Sequence, residues 1–166
     1  MNVRTMATSG VIAALYVAVT FLIVPFGFML VQFRVSEIFN HLVVFNKKYI
    51  FGIVIGVLVA NFLFSPILVD VVFGVFHSLL ALSITIISAK FIKGIIKRML
   101  VNTAVFTILM IIIAYQLKIF ADIPDYNGIP FLSVYLILAL GEFIIMAIGV
   151  PIMYALNKRL DFKKLI

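Results

Sequence analysis

The sequence predicts an all-α integral membrane protein, folded as one domain with six transmembrane helices. Hydrophobic residues form 66% of the 166 residues and charged residues form 11%, whereas average soluble domains contain roughly 45–50% and about 25%. The mean hydropathy is +1.33, and no stretch is polar enough to form a separate soluble domain. Because a spanning helix needs about 20 apolar residues, six spans with their loops account for the whole length.

Turn residues and charges divide the chain into six apolar segments. The first ends at Pro25, the second at the basic pair Lys47 and Lys48, and the third at Pro66. A basic stretch between the fourth and fifth segments is typical of an amphipathic connector at the lipid headgroups, and a polar loop over residues 121–130 precedes the last. The predicted spans are residues 10–24, 29–45, 49–64, 68–88, 101–120 and 131–156.

The basic residues indicate the orientation of the predicted bundle. In a six-span arrangement eleven of the thirteen lysines and arginines fall on one side, which the positive-inside rule assigns to the cytoplasm. Both termini are then cytoplasmic, and the polar loop before the last span faces outward. The eleven residues are Arg4, Lys47, Lys48, Lys90, Lys93, Lys97, Arg98, Lys158, Arg159, Lys163 and Lys164.

Polar side chains in the second segment are candidate functional groups, because each is costly at membrane depth unless it is paired or hydrated. We expect this segment to be α-helical. Arg34, Glu37 and His41 are spaced i, i+3 and i+7 and so share one helical face. The alternative is an Arg34–Glu37 ion pair of structural value only, although Gln32 and Asn40 add more polar groups than one pair needs.

The fourth and sixth segments carry further candidates. Asp70 and His77 share a face of the fourth segment with Phe73. The alternatives are a first-turn acid favoured by the helix dipole for Asp70 and a satisfied interior histidine for His77. Glu142 lies about 16 Å along a helix that begins at Phe131, and therefore near the midplane. We expect it to line a cavity or to pair with an arginine.

These groups converge on the outer half of the predicted bundle, as in a small-molecule pocket that has a few polar groups in an apolar wall. Asn61, Tyr115 and Tyr135 lie toward the outer ends of their segments, and anchoring at the membrane interface is the alternative for the tyrosines. The candidate binding residues are Gln32, Arg34, Glu37, Asn61, Asp70, Phe73, His77, Tyr115, Tyr135 and Glu142.

The first segment has a face of small residues. Gly10, Ala14 and Ala18 recur every four residues, which permits the close approach of another helix in a membrane. Packing within the bundle and docking onto another membrane protein are both open interpretations.

The sequence lacks the motifs of common enzymatic chemistry. It contains no Walker A motif, no H-E-x-x-H and no G-x-S-x-G. With two histidines and no cysteine, it predicts no metal site and no cofactor. The chain therefore has a predicted pocket but no energy source of its own.

Four stretches of the chain are similar to the QueT family, within the substrate-binding S components of energy-coupling-factor (ECF) vitamin transporters. They are Gln32-Phe33-Arg34-Val35-Ser36-Glu37, residues 56–61, Asp70-Val71-Val72-Phe73-Gly74, and Gly141-Glu142 with Pro151. The resemblance covers nearly the whole chain, and its specific part is the first and third stretches. The small-residue face of the first span is shared by many S components.

The resemblance implies a binding protein in a prokaryotic plasma membrane, joined to a transmembrane coupling subunit and a pair of cytosolic ATPases, with no role for nucleic acid. The family is associated with uptake of queuosine precursors. The coupling subunit would dock on Gly10, Ala14 and Ala18. Alternatives are an S component for another vitamin or nucleobase-like micronutrient, an intramembrane enzyme that uses Glu142 or His77 as acid or base, and a structural subunit.

For 7-aminomethyl-7-deazaguanine, a precursor of this class, we expect a carboxylate to accept the ring N–H and the exocyclic amine side by side. Glu142 is the first candidate for that edge and Glu37 the second. Arg34 or Gln32 would donate to the carbonyl oxygen, and Asp70 would neutralise the ammonium group. The candidates for stacking on the ring are Tyr115, Tyr135 and Phe73.

Overall fold

A computed structural model describes residues 3–24, 33–65, 68–120 and 128–166, and every regular element among them is helical. This confirms the predicted all-α class for the described residues. The elements in chain order are α1 (Val3–Leu22), a 3-10 helix (Val35–His41), α2 (Leu42–Phe45), α3 (Tyr49–Phe64), α4 (Val69–Ser88), α5 (Ile95–Phe120), α6 (Phe131–Leu160) and α7 (Phe162–Leu165).

Four of these helices are long and apolar enough to cross a membrane. Helices α1, α4, α5 and α6 have 20, 20, 26 and 30 residues. Two shorter apolar helical segments, Val35–Phe45 and Tyr49–Phe64, occupy the positions of the predicted second and third spans. The helices thus fit a membrane protein, while the count of six spans and the cytoplasmic position of both termini stay predictions.

The helix boundaries differ from the predicted spans mainly on the basic side. Helix α3 covers the predicted residues 49–64, and α4 begins one residue later than predicted. Helices α1 and α5 begin at Val3 and Ile95, earlier than the predicted residues 10 and 101, because each includes the basic flank that precedes its apolar stretch.

The prediction that the second span is an α-helix is wrong. Its described part is a seven-residue 3-10 helix followed by the four residues of α2. Arg34 precedes the helix with φ −90° and ψ 84°, outside the helical region. A 3-10 helix has about three residues per turn, so Glu37 aligns with Asn40, and His41 points elsewhere.

Two glycines allow α3 to lie directly against α1. A β-carbon at Gly52 would come within 2.8 Å of the Ser9 carbonyl oxygen, and one at Gly56 within 2.7 Å of the Tyr16 β-carbon. Real β-carbons do not approach other atoms so closely, so both positions require glycine. This contact fixes the helix that carries Tyr16 against the bundle.

The two ends of the bundle differ in charge. We call the basic end the one where α1 and α5 begin and α6 ends, and the opposite end the one where α5 ends and α6 begins. At the basic end, Arg4 donates a hydrogen bond to the Lys164 carbonyl oxygen over 2.7 Å, and the Tyr49 hydroxyl donates to the Phe162 carbonyl oxygen over 2.9 Å. These bonds hold α7 beneath α1 and α3.

Candidate functional site

Hydrogen bonds from α1 hold the 3-10 helix in place. The Tyr16 hydroxyl donates to Oε1 of Glu37 over 2.6 Å, and the Thr20 hydroxyl donates to the Ser36 hydroxyl oxygen over 2.8 Å. The Asn40 side-chain amide donates to the other Glu37 oxygen. Both carboxylate oxygens of the buried Glu37 therefore have protein partners.

Asn61 and Asp70 join the end of α3 to the beginning of α4. The Ser65 hydroxyl donates to Oδ2 of Asp70, and the Asn61 amide donates to the Asp70 backbone carbonyl over 3.3 Å. The same amide occupies the space that a β-carbon at Gly74 would need. Within the described ranges Oδ1 of the buried Asp70 has no hydrogen-bond partner.

A small polar cavity lies inside the bundle, between the 3-10 helix and helices α4, α5 and α6. Its volume is about 10 Å³, which is room for about one water molecule. An arginine, two glutamates and a histidine from separate parts of the chain thus face a common space, and their role in binding a ligand stays a prediction. The lining residues are Arg34, Glu37, Gly74, His77, Ser78, Met110, Ile113 and Glu142.

Of the two acidic residues that line the cavity, Glu142 is the one with an unpaired oxygen among the described residues. Its side chain is 3% exposed, and Oε1 has no hydrogen-bond partner among the residues that the structure describes. Leaving a buried carboxylate oxygen unpaired is costly. The geometry favours Glu142 over Glu37, whose oxygens are both occupied by protein donors.

His77 contributes its ring to the wall of the cavity. Its Nε2 lies 3.5 Å from the Phe106 carbonyl oxygen, and the two rings meet edge to face with centroids 5.4 Å apart. Since a carbonyl oxygen only accepts, this contact places the proton on Nε2. Nδ1 then remains an acceptor.

His41 does not line the cavity, so the predicted shared face of Arg34, Glu37 and His41 is wrong. Its Nε2 lies 2.9 Å from the Met146 carbonyl oxygen, and its Nδ1 lies 3.3 Å from the Asn102 amide nitrogen. The carbonyl fixes the proton on Nε2, so Nδ1 accepts from Asn102. These contacts tie the 3-10 helix to α5 and α6.

None of the three aromatic candidates is among the described residues that line the cavity. Tyr115 is 58% exposed, because it is two residues, or about 200° around α5, from the cavity-lining Ile113. The structure therefore does not bring Tyr115 to the site, and it corrects that expectation. Phe73 and Tyr135 pack against the apolar cluster of α5 and α6. Gln32 lies outside the described residues.

Two buried polar residues near the site were not selected from the sequence. Tyr16 is the α1 partner of Glu37. Gln116 on α5 is fully buried, and neither atom of its amide has a hydrogen-bond partner within the described residues. The available signal in both cases was a polar group inside a predicted span.

The small residues of α1 lie on the outside of the described bundle. Gly10, Ala14 and Ala18 are exposed, and a β-carbon at Gly10 would meet nothing within 4 Å. An apolar groove of about 460 Å³ lies beside this face, between α1 and the end of α3. It is lined by Ala13, Ala14, Val17, Ala18, Phe21, Val59 and Phe64.

Comparison with known proteins agrees with the resemblance found in the sequence. Residues 6–158 match the family model described as QueT transporter. The chain is also 37% identical over 166 residues to the queuosine precursor transporter QueT of Lactococcus lactis subsp. cremoris (strain MG1363), an alignment that covers 95% of this chain and 94% of that protein. No solved structure matches the chain.

Proposed function

The chain belongs to the QueT transporter family, and from this membership we propose that it is the membrane-embedded S component of an ECF importer for a queuosine precursor. The family consists of transporters, so an intramembrane enzyme is set aside. The proposed substrate is 7-aminomethyl-7-deazaguanine or a closely related base, because the related protein from Lactococcus lactis is named for queuosine precursors.

The observation that carries this proposal is the position of Glu142 in the polar cavity. A 7-deazaguanine base presents a ring N–H beside an exocyclic amine, and a carboxylate accepts both in parallel. The Glu142 carboxylate, whose Oε1 has no partner among the described residues, would accept from this edge, and Arg34 in the same lining would donate to the carbonyl oxygen.

The small volume of the cavity means that a ligand can bind only after a conformational change. Ligand sites usually measure about 300–1,000 Å³, whereas this cavity measures about 10 Å³. A bicyclic base therefore enters only if the lining elements move apart. Association should be slower than the usual protein range of about 10⁵–10⁷ M⁻¹s⁻¹, because binding requires this conformational change.

The exposed face of α1 is the proposed docking site for the transmembrane coupling subunit. Gly10, Ala14 and Ala18 let a partner helix approach closely, and the adjoining apolar groove accepts larger side chains. Energy would come from cytosolic ATPases attached to that subunit. In this arrangement the protein spans a prokaryotic plasma membrane with both termini in the cytoplasm.

Native mass spectrometry of the gently purified chain tests the proposed substrate. We expect a retained small molecule with the mass of a 7-deazaguanine base, displaced by added 7-aminomethyl-7-deazaguanine and absent from a Glu142→Gln variant purified in the same way. A retained vitamin of another class, not displaced by the base, would contradict the proposed substrate.

A further inference from the structure

Gln116 is the least satisfied polar side chain in the described part of the protein. Its exposed fraction is 0%, and neither its amide oxygen nor its amide nitrogen has a hydrogen-bond partner among the residues that the structure describes. It supplies two of the eight buried side-chain atoms that have none within the described ranges. Since buried polar groups are normally hydrogen-bonded, an amide with both ends unpaired among the described residues is a candidate to contact a ligand.

Gln116 lies next to the polar cavity along α5. Met110 and Ile113 of the same helix line the cavity, and Gln116 follows Ile113 by three residues, about 4.5 Å closer to the opposite end. A ligand larger than the present cavity, extending from Glu142 toward the opposite end, reaches the level of Gln116.

Two ring contacts join α4 to this stretch of α5. The rings of Phe106 and His77 are 5.4 Å apart, and those of Phe120 and Phe73 are 5.7 Å apart. Gln116 lies about one turn before Phe120 on α5, near the part of α4 that contains Phe73. That part of α4 includes Gly74, which lines the cavity.

A second buried amide side chain on α5, that of Asn102, has hydrogen-bond partners at both of its ends. Asn102 is also 0% exposed, but its oxygen accepts from the Thr85 hydroxyl over 2.7 Å and its nitrogen donates to His41 Nδ1 over 3.3 Å. Asn102 is therefore a structural residue, and it provides a matched reference for Gln116.

We propose that Gln116 reads the substrate, donating one hydrogen bond to the base and accepting one from it. This inference rests on the proposed function and deepens it. An amide offers a donor and an acceptor side by side, whereas an ionised carboxylate only accepts. When Glu142 accepts from the N1–H and the exocyclic amine, the next edge of a free 7-deazaguanine base presents the N3 acceptor and the N9–H donor. The Gln116 amide can donate to N3 and accept from N9–H. The pair selects a free base over a nucleoside, which lacks the N9–H.

The test compares Gln116→Met with Asn102→Leu in the full-length purified chain. Both variants remove a buried amide from α5, and both receive two measurements, the Kd for 7-aminomethyl-7-deazaguanine by calorimetry and the Tm without ligand. For Gln116→Met we expect binding weaker by about tenfold or more and an unchanged or raised ligand-free Tm. For Asn102→Leu we expect a lower Tm, because Thr85 and His41 lose their partner.

The outcomes separate this inference from the proposed function. If the unaltered protein does not bind the base, the proposed function fails and the role of Gln116 fails with it. If the unaltered protein binds the base and the Kd of Gln116→Met is within about threefold of the unaltered value, only the role of Gln116 is overturned. A Tm loss as large as that of Asn102→Leu also overturns the inference, because it assigns Gln116 a structural role. Gln116→Leu repeats the test if the methionine variant does not purify.

Discussion

Replacing Glu142 by glutamine should weaken the binding of 7-aminomethyl-7-deazaguanine by about tenfold to about 100-fold. The glutamine retains one acceptor oxygen in this buried position but turns an amide donor toward the second donor of the base. Losing one hydrogen bond to a charged group costs about 1.5–3 kcal/mol, and about 1.4 kcal/mol corresponds to a tenfold change in Kd. The measurement is calorimetric titration of the purified variant.

The Tm of the ligand-free protein distinguishes lost recognition from lost folding. We expect little change in Tm for Glu142→Gln, because Oε1 has no protein partner among the described residues and a neutral amide is cheaper to bury than a carboxylate. Glu37→Gln is the matched control. It should lower the Tm, because it disturbs the hydrogen bonds that Tyr16 and Asn40 donate to the carboxylate.

Two results would refute this reasoning. The first is a Kd for Glu142→Gln within about threefold of the unaltered protein, which would mean that the carboxylate does not read the base. The second is an equal loss of Tm in the Glu142 and Glu37 variants, which would make Glu142 a structural acid.

Three further substitutions test other contacts. Tyr16→Phe should lower the stability by about 1.5–3 kcal/mol, because it leaves an oxygen of buried Glu37 unpaired; an unchanged Tm in detergent would argue against this bond. Ala18→Phe should abolish uptake by cells that carry the complete transporter and leave ligand affinity intact, and a parallel loss of affinity would contradict the docking role. Gly56→Ala should lower the Tm and Gly10→Ala should not, since only the first added β-carbon meets α1; equal Tm values would argue against the tight α1–α3 contact.

The helix whose boundaries were predicted most accurately, α3, is delimited by charged and turn-forming residues close to its ends. The basic pair Lys47 and Lys48 precedes Tyr49, and Pro66 follows the end of α3 closely, so the predicted third span coincides with Tyr49–Phe64. Charge and turn propensity act over a few residues and can be read without knowing the partners of a segment.

The 3-10 helix was not predictable in this way, because its conformation depends on another helix. Its Ser36 and Glu37 accept hydrogen bonds from Thr20 and Tyr16 of α1. An assumed α-helical period placed His41 beside Glu37, whereas His41 turns to contacts with α5 and α6. Tertiary hydrogen bonds of this kind leave no periodic pattern in the sequence.

The sequence located several of the ionisable side chains that line the cavity but did not select Gln116. Arg34, Glu37, His77 and Glu142 face one cavity, because the cost of placing them in lipid leaves the bundle interior as the only suitable location. Whether a neutral residue such as Gln116 is unpaired depends on its neighbours, which only the structure supplies.

The most direct test of the account is calorimetric titration of the purified, unaltered chain with 7-aminomethyl-7-deazaguanine in the absence of ATP. The account predicts saturable binding of one base per chain, accompanied by a rise in Tm, because binding only to the folded protein stabilises it. Neither heat nor a Tm shift with this base or with any other 7-deazaguanine base would contradict it.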